Sequence, residues 1–113
     1  MVSEDDVRRL ALSLPATTER SSYGTPGFRV QDKLFARIHE QPGVLVLWRD
    51  SVEDREVLVA AEPEKFFTTP HYAGHPSVLV RLASIDRAEL QELLAEAWVA
   101  RASARLRAQH PTL

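Results

Sequence analysis

The feature that most constrains the fold is a run of strand-like segments over residues 28–49, separated only by tight turns. The turns at 31–33 and 41–43 contain the Asp, Pro and Gly residues that favour reversal of the chain. The segments around them alternate apolar and polar side chains, or accumulate β-branched and aromatic residues. Because parallel strands need a long crossover connection, such short turns predict an antiparallel meander.

Helical segments flank this meander. The spacing of apolar residues predicts a helix over residues 3–14, which Ser3 caps and Pro15 ends. A second helix is predicted from Asp86 to about residue 101, because Asp86 and Glu89 form a capping-box pair ahead of an apolar stripe. The other predicted elements are helices at about 50–61 and 103–109 and strands at 65–68 and 77–82, with a loop at 70–76.

This order of elements predicts a single α+β domain that spans residues 1–113. We expect an antiparallel sheet of about five strands, with the terminal helices packed on one of its faces. Trp98 lies on the apolar stripe of the last long helix and is expected to anchor the core.

Composition excludes several classes of protein. The chain has no cysteine, which rules out disulfides and thiolate metal sites and suits a reducing cytosol. Its acidic start lacks the pattern of a signal peptide, and no apolar stretch approaches the roughly 20 residues of a membrane span. We therefore expect a cytoplasmic protein with no membrane association. The net charge of -2 argues against nucleic-acid binding driven by overall charge, but it permits a local basic surface.

Several short motifs occur in order along most of the chain. They are Leu12-Ser13-Leu14-Pro15, Gly27-Phe28-Arg29-Val30, Lys33-Leu34-Phe35-Ala36, Phe66-Phe67, His71-Tyr72, His75-Pro76, Val78-Leu79-Val80 and Glu96-Ala97-Trp98. With these motifs the chain resembles the MmcQ/YjbR family. The resemblance implies a compact α+β sandwich of frataxin-like outline from a bacterial-type protein. Members of that family are commonly labelled DNA-binding, so the resemblance also implies DNA as a partner.

Cationic residues occupy alternate positions of the predicted strands, which places them on one face of the sheet. If the apolar residues Val30, Leu34 and Ala36 face the helices, their neighbours must face away from them. The residues predicted to form this basic sheet face are Arg29, Lys33, Phe35, Arg37, Arg49 and Arg81. The cations would neutralise phosphates, and Phe35 would stack on a base, which gives nucleic-acid binding of low sequence specificity. The alternative is a solvated face whose cations maintain solubility.

Other chemistry-bearing residues suggest no catalytic constellation. His71 and His75 lie four positions apart in a loop, where that spacing favours turn-building over a metal site. A second basic group, at 101, 105 and 107, suits the C-terminal end of a helix. We therefore expect neither an enzyme nor a bound metal or cofactor. A protein-interaction or accessory domain is the alternative function.

Overall fold

The computed structural model describes residues 1–113. In chain order the elements are α1 (Glu4–Leu12), β1 (Thr17–Ser22), β2 (Thr25–Val30), β3 (Lys33–Ile38), β4 (Val44–Trp48), α2 (Val52–Ala61), β5 (Phe66–Phe67), a 3₁₀ turn (Pro70–Tyr72), β6 (Ser77–Arg81), a second 3₁₀ turn (Leu82–Ser84), α3 (Arg87–Arg101) and α4 (Ala104–Gln109). None of the α-helices combines the length and the apolar character that a bilayer crossing requires.

The six strands form one sheet in the order β1-β2-β3-β4-β6-β5, and every neighbouring pair is antiparallel. The first two hairpins use the two-residue turns Tyr23-Gly24 and Gln31-Asp32, whose four residues all have positive φ, as type I′ turns require. The predicted α+β class and antiparallel sheet are confirmed. The sheet has one strand more than predicted, because β1 is mostly exposed and carries no apolar alternation.

The helices α1 and α3 pack on one face of the sheet and enclose the core. Trp98 of α3 is fully buried there, and its indole N–H donates to the carbonyl of Pro15 at 2.9 Å. Both predicted helix starts are confirmed: the Ser3 and Asp86 side chains each accept a backbone N–H, and each capping box is closed by an acid three residues later. We call the opposite side of the sheet the outer face.

A β-bulge in β3 changes which side chains reach the outer face. Phe28 pairs with Ala36 and Arg29 pairs with Leu34, so Phe35 has no partner of its own on β2. Phe35 and Ala36 are both fully buried in the core, whereas Leu34 lies on the outer face. The predictions that Phe35 points away from the helices and that Leu34 points toward them are therefore wrong. An inserted residue shifts the alternation by one position, so the side chains before it exchange faces with the predicted ones.

The outer face is not an open surface, because residues 68–76, which we call the covering segment, fold back over part of it. Val46 and Leu79 belong to this face by their register, yet they are only 1% and 0% exposed. Arg55 of α2 holds the covering segment in place. Its guanidinium donates to the carbonyls of Tyr72 and Ala73, both at 2.9 Å, with the carbonyls of residues 75 and 77 also in range.

Candidate functional site

The six predicted site residues do not form one surface. Arg49 follows β4 and turns toward the helices, where its Nε lies 2.6 Å from Asp54 and its Nη1 lies 2.8 Å from Glu96. Burial alone would lower the pKa of Arg49, but hydrogen bonds to the two carboxylates outweigh it and raise that pKa. Its charge is already neutralised, so Arg49 ties α2 and α3 to the end of the sheet.

Arg37 does lie on the outer face, but its side chain is only 7% exposed. Its guanidinium donates to the Glu40 carboxylate, to the hydroxyl of Thr25 at 3.1 Å and to the hydroxyl of Tyr72 at 2.8 Å. The hydrogen bond from Arg37 lowers the pKa of Glu40. The prediction that Arg37 faces outward is confirmed by its position, but the covering segment and Glu40 occupy its hydrogen-bonding groups.

Arg81 lies toward the other edge of the sheet. Its guanidinium is 4.2 Å from the centre of the Phe67 ring, and its Nη1 donates to the carbonyl of Pro63 at 2.9 Å. The strand β4 separates β6 from β3, so Arg81 does not join the cations on β2 and β3. With Phe35 in the core, only Arg29 and Lys33 of the predicted set share a hairpin. The bulge also reverses the predicted orientation of Lys33, which pairs with Val30 and so starts on the helix side, whereas Arg29 pairs with Leu34 on the outer face.

Arg29 and Lys33 occupy the hairpin that joins β2 to β3. The Nη1 of Arg29 donates to the carbonyl of Asp32 at 3.2 Å, while its Nε is buried and has no hydrogen-bond partner. Lys33 is exposed and makes no ion pair. Arg29 is therefore a guanidinium held in place with part of its donor capacity unused.

A third cation, Arg101, reaches this hairpin from the end of α3. Its Nε donates to the carbonyl of Leu34 at 3.0 Å, and its guanidinium carbon lies 5.2 Å from the centre of the Trp48 ring. Burial lowers the pKa of Arg101, and no carboxylate counteracts it. We call Arg29, Lys33 and Arg101 the hairpin cation cluster.

Sequence reasoning placed Arg101 in a separate basic group. The structure brings the two groups together because the backbone N–H of Ser103, just before α4, donates to the side chain of Gln31 at 2.9 Å. This contact spans 72 residues of chain, so no local pattern could have indicated it. The only local signal was the lack of any acidic residue after Glu96.

Ion pairing distinguishes this cluster from most other cations of the chain. Eight of the 14 lysines and arginines lie within 4 Å of a carboxylate oxygen. The six without such a partner are Arg29, Lys33, Arg81, Arg101, Arg105 and Arg107. Three of these six contact or belong to one hairpin, whose turn carries one acid, Asp32, 3.6 Å from Arg20. Uncompensated positive charge is therefore concentrated at this end of the sheet.

A groove of about 550 Å³ opens on the outer face next to the cluster. Leu34 and Val46 line its apolar part, and Trp48, Tyr72 and His75 supply aromatic walls. The rings of Trp48 and His75 meet edge to face, with centres 5.2 Å apart. The histidines around the groove do not converge on a position that could hold a metal ion.

These observations define a class: a small α+β domain with one helix-covered, antiparallel sheet and a cationic hairpin beside an outer-face groove. The profile of the YjbR family matches residues 12–100, and the chain belongs to that family. The resemblance seen in the sequence is therefore confirmed.

Known relatives agree with this assignment. The chain is 38% identical to the uncharacterized proteins Rv2570 of Mycobacterium tuberculosis and Mb2600 of Mycobacterium bovis, over 94% of this chain and 93% of theirs. A crystal structure of the Deinococcus radiodurans protein DR2400, a DUF419 domain, has the same fold. It superposes with a TM-score of 0.73 at 24% identity, covering 100% of this chain and 83% of that one.

Proposed function

We propose that this domain binds nucleic acid with low sequence specificity, and that the hairpin cation cluster holds the phosphates. The observation that carries the proposal is the convergence of three cations without carboxylate partners on one β-hairpin. Arg29 and Arg101 are also partly withdrawn from water, as the unpartnered Nε of the first and the lowered pKa of the second indicate.

Partial loss of water strengthens the attraction of these cations for an anion. A guanidinium that has lost water without gaining a counter-ion gains more from an arriving anion than a fully hydrated one does. Phosphate suits such a site because a guanidinium offers it two parallel N–H donors. A phosphate chain can then engage Arg29, Lys33 and Arg101 in succession.

The proposal narrows the predicted binding surface. Arg37 and Arg49 already have carboxylate partners, and Phe35 is enclosed in the core, so none of them is available for phosphate or base contact. Arg81 is engaged with Phe67 at the far edge. The proposed surface therefore keeps Arg29 and Lys33 and adds Arg101.

The experiment is a salt titration by fluorescence anisotropy with a labelled 12-nucleotide single strand. Each phosphate contact contributes about 0.7 to the slope of log affinity against log salt. Replacing Arg29, Lys33 and Arg101 with glutamine should reduce the magnitude of the slope by about 2 and weaken binding at low salt.

The matched control replaces Arg8, Arg9 and Arg87 with glutamine. These residues carry the same total charge but pair with acids near α1. The single variant Lys33→Gln, which removes no observed hydrogen bond, guards against misfolding and should lower the slope by about 0.7. Equal losses in the cluster variant and the control would refute the cluster, and no binding by the wild type would refute the function.

The proposal also assigns the domain a binding role in the cytoplasm, not a catalytic one. The one serine–histidine contact near the groove joins Ser77 Oγ and His75 Nδ1 at 3.4 Å, but Ser77 is fully buried and closed to substrates. The absence of cysteine supports a reducing compartment. Detection of the protein in a membrane or extracellular fraction would contradict that location.

A protein partner is the second candidate, and the free edge of β1 favours it. This six-residue strand pairs only with β2, so its outer backbone groups are open to an added strand. Proline at position 19 or 21, whose N–H groups point away from β2, would block strand addition without touching the hairpin cation cluster. Partner capture that survives both substitutions would count against this edge.

A further inference from the structure

Building on the proposed phosphate site, we propose that the outer-face groove receives an unpaired nucleobase, so that the nucleic acid bound is single-stranded. The groove and the hairpin cation cluster are continuous. Leu34 lines the groove while its carbonyl accepts the Nε of Arg101, and Trp48 lines the groove while Arg101 lies over its ring. A strand whose phosphates lie on the cluster therefore has a base within reach of the groove.

The chemistry of the groove suits a flat heteroaromatic ring. Trp48, Tyr72 and His75 offer faces and edges for stacking, and Leu34 and Val46 form an apolar floor. The volume of about 550 Å³ falls in the usual range for small-ligand sites. His71 adds a polar ring at the mouth, where it meets Tyr72 edge to face at 4.9 Å.

The polar groups of the groove explain why recognition should be loose. Arg37 is committed to Glu40, Thr25 and the hydroxyl of Tyr72, so it cannot read a base edge without breaking those bonds. Stacking tolerates any base because every base has a π face. We therefore infer a base-accepting groove with little sequence preference.

Duplex DNA fits this arrangement poorly. Its bases are stacked and paired inside the helix, and one could enter the groove only after being flipped out at an energetic cost. A single strand pays no such cost. The groove therefore favours single-stranded over double-stranded nucleic acid when both offer the same phosphates.

The test compares three labelled probes of equal length by anisotropy at fixed low salt: a thymidine 12-mer, an abasic 12-mer and a 12-base-pair duplex. The wild type should bind the thymidine strand about tenfold more tightly than the abasic strand. Trp48→Leu should reduce the ratio of the two affinities from about tenfold to about one; the ratio is the readout because Trp48 also contacts Arg101 of the cluster. Phe67→Leu is the matched control, because Phe67 also lies beneath an arginine, but far from the groove.

The outcomes separate the two proposals. If the thymidine and abasic strands bind equally and the cluster variant weakens both, the groove inference is overturned and the phosphate site stands. If the duplex binds as tightly as the thymidine strand, the single-strand preference is overturned. If no probe binds, both proposals fail. Should Trp48→Leu not fold, His71→Ala at the exposed mouth of the groove provides the second variant, with a smaller loss expected for the thymidine strand only.

Discussion

Replacing Arg55 with methionine tests how the groove is built. Arg55 is 1% exposed and supplies the donors for several carbonyls of the covering segment and its flank. Methionine fills much of the same space but donates nothing, so the carbonyls of Tyr72, Ala73 and Ser77 lose a charged donor. Each hydrogen bond to a charged donor contributes about 1.5–3 kcal/mol to the free energy of unfolding. We expect a total loss of about 3 kcal/mol, because some of the carbonyls can bond to water once the guanidinium is gone.

This free energy translates into a measurable melting temperature. The unfolding entropy of a chain of 113 residues is about 0.24 kcal/mol/K near 60 °C. A loss of about 3 kcal/mol therefore lowers Tm by about 12 °C, which calorimetry or circular dichroism resolves easily. Chymotrypsin cleavage after Tyr72 should accelerate in parallel, because the covering segment detaches more often.

The control substitution is Arg9→Met, which makes the same chemical change at a side chain that is 69% exposed and paired only with Asp5. We expect a Tm change within about 4 °C, in keeping with a surface ion pair. If Arg55→Met shifts Tm no more than this control does, the reasoning is wrong, and the covering segment is held by something other than Arg55.

Three further predictions concern the hairpin, the Arg37 pair and a close backbone contact. Asp32→Asn keeps a residue that tolerates positive φ but removes the one acid in the hairpin turn. The affinity for a single strand at low salt should therefore rise in an anisotropy titration. An unchanged affinity would argue against phosphate binding at the hairpin. Arg37 lowers the pKa of Glu40, so this ion pair stabilises the fold at pH values above the unfolded-state pKa of Glu40. The stabilisation is lost as the pH falls through the lowered pKa of the folded state. Wild type should therefore exceed Glu40→Gln in unfolding free energy by up to about 1 kcal/mol near neutral pH, and this difference should vanish at acidic pH in a series of denaturation measurements. Gly27→Ala should lower unfolding free energy by about 1–3 kcal/mol in urea titrations, because its Cβ would lie 3.0 Å from a Leu34 methyl and from a backbone oxygen; a neutral effect would show that this contact relaxes freely.

Much of the fold is readable in the sequence because the signals are local. The caps at Ser3 and Asp86 and the apolar stripe of α3 lie within a few residues of the structure they determine. The strand β1 gave no such signal. It lies at the edge of the sheet with four of its six residues exposed, so no apolar alternation marks it.

The site could be predicted only in part, for two physical reasons. The bulge at Phe35 inserts one residue into β3. The side chains that precede it in the strand therefore lie on the face opposite to the one that strict alternation predicts. The burial of Arg37 and the arrival of Arg101 depend on contacts 35 and 67 residues apart in the chain. Periodicity describes neighbours along a strand, and it carries no information about such distant partners.

The most direct test of the hairpin cation cluster is a ¹⁵N-resolved NMR titration of the wild-type protein with an unlabelled 12-nucleotide single strand at low salt. The account predicts that the largest amide shifts map to residues 29–34 and 99–105, with a second group at the groove around Trp48 and Tyr72. Shifts that instead map to the α2–α3 surface around Arg49, or that spread evenly over the chain, would contradict it.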